Sequence, residues 1–200
     1  LCTDGVCPEP SCDDGVLNGD EIGVDCGSEC ASCSCVGDSV IDVIAAGDYV
    51  TSTVGRPSFE TAGCAQTAGA SEAVFRFVPG EDGVFCADAA GTQFDSVVYV
   101  RTDCSDPTSE IACNDSPDYP RIQDGQAQFV ATSNEPIYIF VDAYSGAFTD
   151  RPDQGDVALT ISSGRCDGAP ICQGGQDCGP NQRCDRGLCV DEPIPCEGFG

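Results

Sequence analysis

The chain is predicted to be all-β: an antiparallel β-sandwich, jelly-roll-like, with a small disulfide-rich module at each end. Three observations predict it. The middle of the chain is a series of short β-branched and aromatic runs, each bounded by Gly, Pro, Asn or Asp. No segment sustains a helical period. The cysteines crowd the ends, with seven in the first 35 residues, six from Cys166 onward and four between. The boundaries read as 1–36 for a Cys-rich acidic module, 37–163 for the sandwich and 164–200 for a second Cys-rich module.

The first module contains SCDDGVLNGDEIGVDCGSEC (11–30), with five carboxylates and an amide between Cys12 and Cys26. So many like charges in a loop with few apolar side chains either face water or surround a cation. Calcium takes six to eight oxygens from carboxylates, amides, carbonyls and waters. Asp14, Asn18, Asp20, Glu21 and Asp25 offer such oxygens, and Gly15, Gly19 and Gly23 permit tight winding. The spacing does not follow the EF-hand rule. Calcium is nonetheless the expected cofactor, because oxygen-only donors favour it over zinc or copper.

The strands follow in order. SVIDVI (39–44) and DYVTSTV (48–54), separated by Ala-Ala-Gly, read as a hairpin. AVFRFV (73–78) ends at Pro79-Gly80; GVFCAD (83–88), DSVVYVR (95–101), AQFVAT (127–132), PIYIFVDA (136–143) and DVALTIS (156–162) come next. Strand-end loops of a sandwich gather at two rims. A second cation constellation is therefore expected from Asp95, Asn114, Asp115, Asp118 and Asp142, or from Asp150, Asp153 and Asp156. Asp in loops is also ordinary turn chemistry. Tyr119, Tyr144, Phe148 and Phe199 fall in loops or near ends, where they could stack on glycans, join copies or pack locally.

Charge and composition exclude much. The net charge of −26 comes from 34 acidic and 8 basic residues, all of the latter Arg. Nucleic acid is not an expected partner for such a surface. Membrane insertion is not expected either, since no apolar run approaches the roughly 18 residues a span needs. Seventeen cysteines point to an oxidising, extracellular setting. Leu1 is expected to follow a processing step or to begin a piece of a longer chain. The odd count leaves a cysteine without an internal partner, expected in a terminal module. With no His and no Lys, Ser-His-Asp and Lys-assisted chemistry are impossible. Only carboxylate-pair catalysis survives, and no such pair is evident. No enzyme activity is expected.

QFDSVVYVRTDC (93–104), IACNDS (111–116), PIYIFVDAYSG (136–146) and GDVALTIS (155–162) together resemble the bacterial pre-peptidase C-terminal type of domain, over roughly 37–163. The resemblance implies a secreted β-sandwich, usually an accessory module. Asn114-Asp115-Ser116 stands where a second Asp is common in that family. Residues 12–33 are similar to a Cys-x-Asp-Gly-x-x-Asn-Gly repeat of secreted bacterial proteins. The tail CQGGQDCGPNQRCDRGLCV (172–190) is similar to EGF-like and Dickkopf-like modules. Cys104 and Cys113 bracket an eight-residue loop that could close as a staple, which the resemblance favours; Cys64 with Cys86 is then the remaining central pair.

Two functions are expected to compete. The first is a secreted, calcium- and disulfide-stabilised structural or adhesive protein that assembles with copies of itself as a filament or surface layer. The alternative is a non-catalytic accessory module of a larger secreted enzyme or surface protein, binding carbohydrate or protein.

Overall fold

The computed structural model describes residues 11–17, 19, 21, 24–28, 30, 32–35, 37–56, 58, 60–67, 69–116, 124–145, 152–168, 171–172, 178–180, 182–185 and 188–191. Among these there is no α-helix, only short 3-10 turns such as Cys33–Cys35 and Pro107–Ser109. The strands are β1 (Val40–Val43), β2 (Gly47–Ser52), β3 (Ala73–Phe77), β4 (Gly83–Asp88), β5 (Ser96–Arg101), β6 (Glu110–Asn114), β7 (Gln126–Ala131), β8 (Ile137–Ala143) and β9 (Asp156–Ser163). A separate ribbon pairs β10 (Gln182–Asp185) with β11 (Leu188–Asp191).

Two sheets result, a five-stranded one in the order β1-β3-β8-β5-β6 and a four-stranded one in the order β2-β9-β4-β7. The pairings nest: β5 with β6, β4 with β7, β3 with β8 and β2 with β9, all antiparallel. That is one long ribbon folded over, with its tip between β5 and β6. Rolling it brings β5 against β8 and β4 against β9. The result is the jelly roll expected from the sequence. β6 is an addition: only five residues long and half-buried, it lacks an apolar alternation to announce it.

The expected hairpin over 39–54 does not form. β1 joins the five-stranded sheet, parallel to β3, and β2 joins the other sheet beside β9. The Ala45-Ala46 connection crosses between layers instead of reversing within one. Two apolar strands joined by a short loop satisfy either solution, and the choice falls to what each strand buries.

The inner faces meet in one core. Phe75, Phe77, Val98, Val100, Ile139 and Val141 face Phe85, Ala87, Phe129, Leu159 and Ile161. Phe77 packs edge-on against Phe85 with centroids 5.2 Å apart, and Phe85 stacks on Phe129 at 5.9 Å. Each such side chain contributes about 1.5–3 kcal/mol by leaving water. β7 and β9 show the alternation of strands open on one face. β5 is buried at every position, because its outer face is covered too.

The covering is a second cluster of Val74, Val97, Tyr99, Cys104 and Phe140, overlaid by Cys35, Ala62 and Ala65. Disulfides fasten it: Cys35 bonds Cys104 and Cys64 bonds Cys113. The expected pairs Cys104–Cys113 and Cys64–Cys86 are therefore replaced; Cys86 bonds Cys166. Cys86 points outward from the four-stranded sheet, between Phe85 and Ala87 of the core. Cys64 lies outside the other sheet. The two-sheet thickness of about 10 Å between them exceeds the span of about 7 Å that a disulfide tolerates. The loop between Cys104 and Cys113 closes without a staple, since Asp106 caps its 3-10 turn by accepting from Thr108 N at 2.8 Å. Cys12–Cys30 and Cys26–Cys33 knit the first module, and Cys172–Cys184 and Cys178–Cys189 the last. Every described cysteine is bonded, which leaves Cys2, Cys7 and Cys196 outside the described residues.

Candidate functional site

The acidic loop is held by its own carboxylates. Gly15 N donates to both carboxylate oxygens of Asp25 at 2.9 Å. Asp14 Oδ1 accepts from Val16 N at 2.9 Å, a turn that costs no distant partner. Asp25 has φ 56°, a left-handed conformation that Asp tolerates better than most residues. Asp14 and Asp25 thus meet around Gly15, ten residues apart in sequence. Glu21 is half-buried near Cys30. Asn18 and Asp20 lie outside the described residues.

The second expected constellation is spread along one rim. Asp95 precedes β5 and its carbonyl accepts from Tyr144 N at 2.8 Å. Asn114 ends β6 opposite Val98, with Asp115 next and half-buried. Asp153 is exposed in a bend. Asp156 starts β9 in the other sheet, where its Oδ2 accepts from Gln93 Nε2 at 3.0 Å and its N donates to Gln93 Oε1 at 3.1 Å. Asp118 and Asp150 lie outside the described residues. Among the described residues, the side-chain group close enough to share an ion is Cys172, Cys178 and Cys189, whose sulfurs are already bonded. Of the aromatic candidates, Tyr144 packs against the covering cluster; Tyr119, Phe148 and Phe199 are not described.

Asp142 stands apart from the rim acids. It lies within β8, opposite Val97, on the covered outer face, and is 0% exposed. Ala73 opposes Val141, so the next antiparallel position puts Glu72 opposite Asp142. Glu72 is 2% exposed; its Oε1 accepts from the Ser34 hydroxyl and from Glu60 N. Burial first, then the Glu72 charge, push Asp142 up to about 8; Thr67, the Ala143 amide and Tyr99 oppose the shift weakly. Burial and the same two carboxylates raise the Tyr99 hydroxyl well above its ordinary value.

Among the described residues, Arg101 is the buried cation of this layer. Arg101 is 0% exposed and pairs with Glu60 Oε2 at 2.5 Å; it also donates to the carbonyls of Cys104 and Thr61. Its guanidinium lies 5.1 Å and 5.0 Å from the rings of Tyr99 and Phe140, which stack at 4.5 Å. Sequence reasoning passed over Glu60, Glu72, Tyr99 and Arg101. A signal was present: SVVYVR is an unbroken apolar run ending in one of only eight basic residues. A strand buried on both faces must pair its charge.

Two depressions flank these features. One of about 260 Å³ is lined by Ser28, Ser32, Cys33, Ser105 and Glu60. The other, about 490 Å³, lies along the open outer face of the four-stranded sheet beside Val50, Gln93, Asp156 and Ala158.

No protein-family model matches the chain, and no curated protein does. Among solved structures, the pre-peptidase C-terminal domain of a Bacillus anthracis collagenase aligns at 12% identity and TM-score 0.39, over 62% of this chain and 94% of that one. PliG, a periplasmic inhibitor of g-type lysozyme from Aeromonas hydrophila, aligns at 16% identity and TM-score 0.36, over 62% and 97%. At such scores the architecture rests on the strand pairing alone. The disulfides are the chemistry of an oxidising, extracytoplasmic environment. Among the described residues no helix is long and apolar enough to cross a membrane. What stands is a disulfide-rich, all-β jelly roll with its charge chemistry buried on one side.

Proposed function

We propose that the chain is an extracellular, non-catalytic structural or adhesive subunit that assembles with copies of itself and holds calcium in its acidic loop. The observation that carries this reading is where the two ends are tied. Cys35–Cys104 clamps the first module to the five-stranded sheet, and Cys86–Cys166 anchors the last to the four-stranded sheet. The modules so leave from opposite sheets of one rigid block. Unlike surfaces on opposite sides generate head-to-tail assemblies. At a net charge of −26, cations between subunits would relieve the repulsion that opposes such contacts. The missing His and Lys, and the closure of the buried acids from solvent, support a non-catalytic role.

Electron microscopy of the purified, non-reduced protein tests assembly, first in calcium and then after prolonged chelation. Filaments or rings that loosen on chelation are expected. Single particles in both conditions would return the accessory-module reading, to be followed by glycan-binding assays. The loop is tested separately with Asp14→Asn/Asp25→Asn. Losing the Gly15 contact costs about 1 kcal/mol with or without calcium. A further loss of thermal stability in calcium alone is expected; equal losses would mean that the loop holds no ion.

A further inference from the structure

We propose that the open edge of β2 is an interface with a second copy of this chain, paired antiparallel about a two-fold axis at Val50. This contact is separate from the head-to-tail one between terminal modules: it is isologous, closes on itself and needs no calcium.

The backbone argues for it first. β2 ends the four-stranded sheet and, among the described strands, pairs with β9 alone. Thr53 N donates to Gly155 O at 2.9 Å, and antiparallel pairing alternates from there. Gly47, Tyr49 and Thr51 therefore bond β9, while Asp48, Val50 and Ser52 turn their N–H and C=O groups away from it. Among the described residues, Ser52 O is the one of these groups that finds a partner, accepting from Arg56 Nε at 2.7 Å. The other edges are defended. β6 and β7 close one side of the sandwich on each other, and Cys64 is bonded to Cys113 of β6. β1 is four residues long and carries exposed Asp42. β2 has no such guard at its centre, where Val50 is exposed.

Charge argues for the occupant. The chain has 34 acidic residues against 8 basic ones, yet from Val43 to Arg56 it has one of each, Asp48 and Arg56. Asp48 turns its carboxylate onto Thr160 Oγ1, 2.7 Å away across its own sheet. Asp42, on β1 nearby, is paired with Arg76 at 2.9 Å. A second copy, itself at −26, meets least repulsion along this near-neutral strip. A cationic partner finds little there to attract it.

The register follows. With the axis at Val50, that residue exchanges both backbone hydrogen bonds with its counterpart, and Ser52 N–H meets Asp48 C=O of the second copy. The two Val50 side chains come together on the outer face, and exposed Val54 comes opposite exposed Ala46. The two Asp48 carboxylates stand about 14 Å apart along the strands, beyond the screening length of about 8 Å in physiological salt. An axis at Tyr49 would bring them to about 7 Å, so charge selects the first register.

Sedimentation velocity of the full, non-reduced chain tests the contact, in chelator and physiological salt, from about 1 to 100 µM. A monomer–dimer equilibrium is expected, with the dimer dispersing at the low end. Val50→Pro removes an outward N–H and no bond to β9, so it should fold with a nearly unchanged Tm and weaken the dimer by about tenfold or more. Val50→Asp, the second variant, sets like charges opposite each other and should also separate the copies. The amides of Val50 and Ser52 should exchange several-fold more slowly at the high concentration, and those of Tyr49 and Thr51 equally at both. A monomer throughout, or a dimer that both Val50 variants keep, would overturn the interface. Chelator keeps the two assemblies apart: a monomer here leaves calcium-dependent filaments standing, and missing filaments leave this dimer standing.

Discussion

On its outer side the five-stranded sheet carries Tyr99 and Phe140, both fully buried, and ends β5 with a buried Arg101. The outer side of the four-stranded sheet carries Val50, 85% exposed, with exposed Asp156 and Thr160 beside it. The strands are alike in length and pairing, so the sheets themselves do not account for the difference. What differs is the chain laid over them. Segments around Cys35 and over 60–67 lie on the first face, contribute few large apolar side chains, and are pinned by Cys35–Cys104 and Cys64–Cys113. A thin, polar covering buries too little apolar surface to hold itself down. Covalent staples and a paired charge do so instead.

The largest effect should come from the charge. Arg101→Met leaves Glu60 buried without its guanidinium, and breaking one side of a buried pair costs about 3–5 kcal/mol. Urea unfolding without reductant measures it, and a loss below about 1 kcal/mol would mean that the covered face is wetter than its burial implies.

The staples come next. Cys35–Cys104 and Cys86–Cys166 close loops of similar length, 69 and 80 residues, so chain entropy assigns them nearly equal worth, about 4.5 kcal/mol at most. Removing each pair as Cys→Ser separates entropy from covering. The first removal should cost more, and amide exchange should quicken at Tyr99 and Phe140 only in that variant. Equal costs would reduce the covering to a passenger.

Asp142 gives a pH-dependent contrast. Its folded pKa lies at about 8 against an ordinary 3.8, so in chelator the folded state keeps a proton that the unfolded state has released. Stability from this group is complete below about pH 4 and is lost as pH rises to about 8, by about 1.4 kcal/mol per unit. Relative to the parent, Asp142→Asn should flatten unfolding curves taken at pH 5, 7 and 9. A parallel pair of curves would contradict the burial. The smallest effect belongs to the open face: Val50→Asp should change stability by no more than about 0.5 kcal/mol in the same unfolding assay.

Much of the fold was legible. DVALTIS and AVFRFV mark β9 and β3 to within a residue, because burial on one or two faces of a pleated strand leaves a local pattern. Fold class, compartment and the lack of common catalytic groups also follow from composition, since each depends on which residues are present. The acidic loop was legible as a cluster, but only the folded chain folds Asp25 back onto Gly15. Tertiary structure alone decided the cysteine partners, the separation of β1 from β2, and the meeting of Glu72 with Asp142. These depend on which side of which sheet a residue occupies. In a rolled ribbon, neighbours such as β3 and β8 come from distant parts of the chain. Spacing along the sequence carries no record of that distance closed in space.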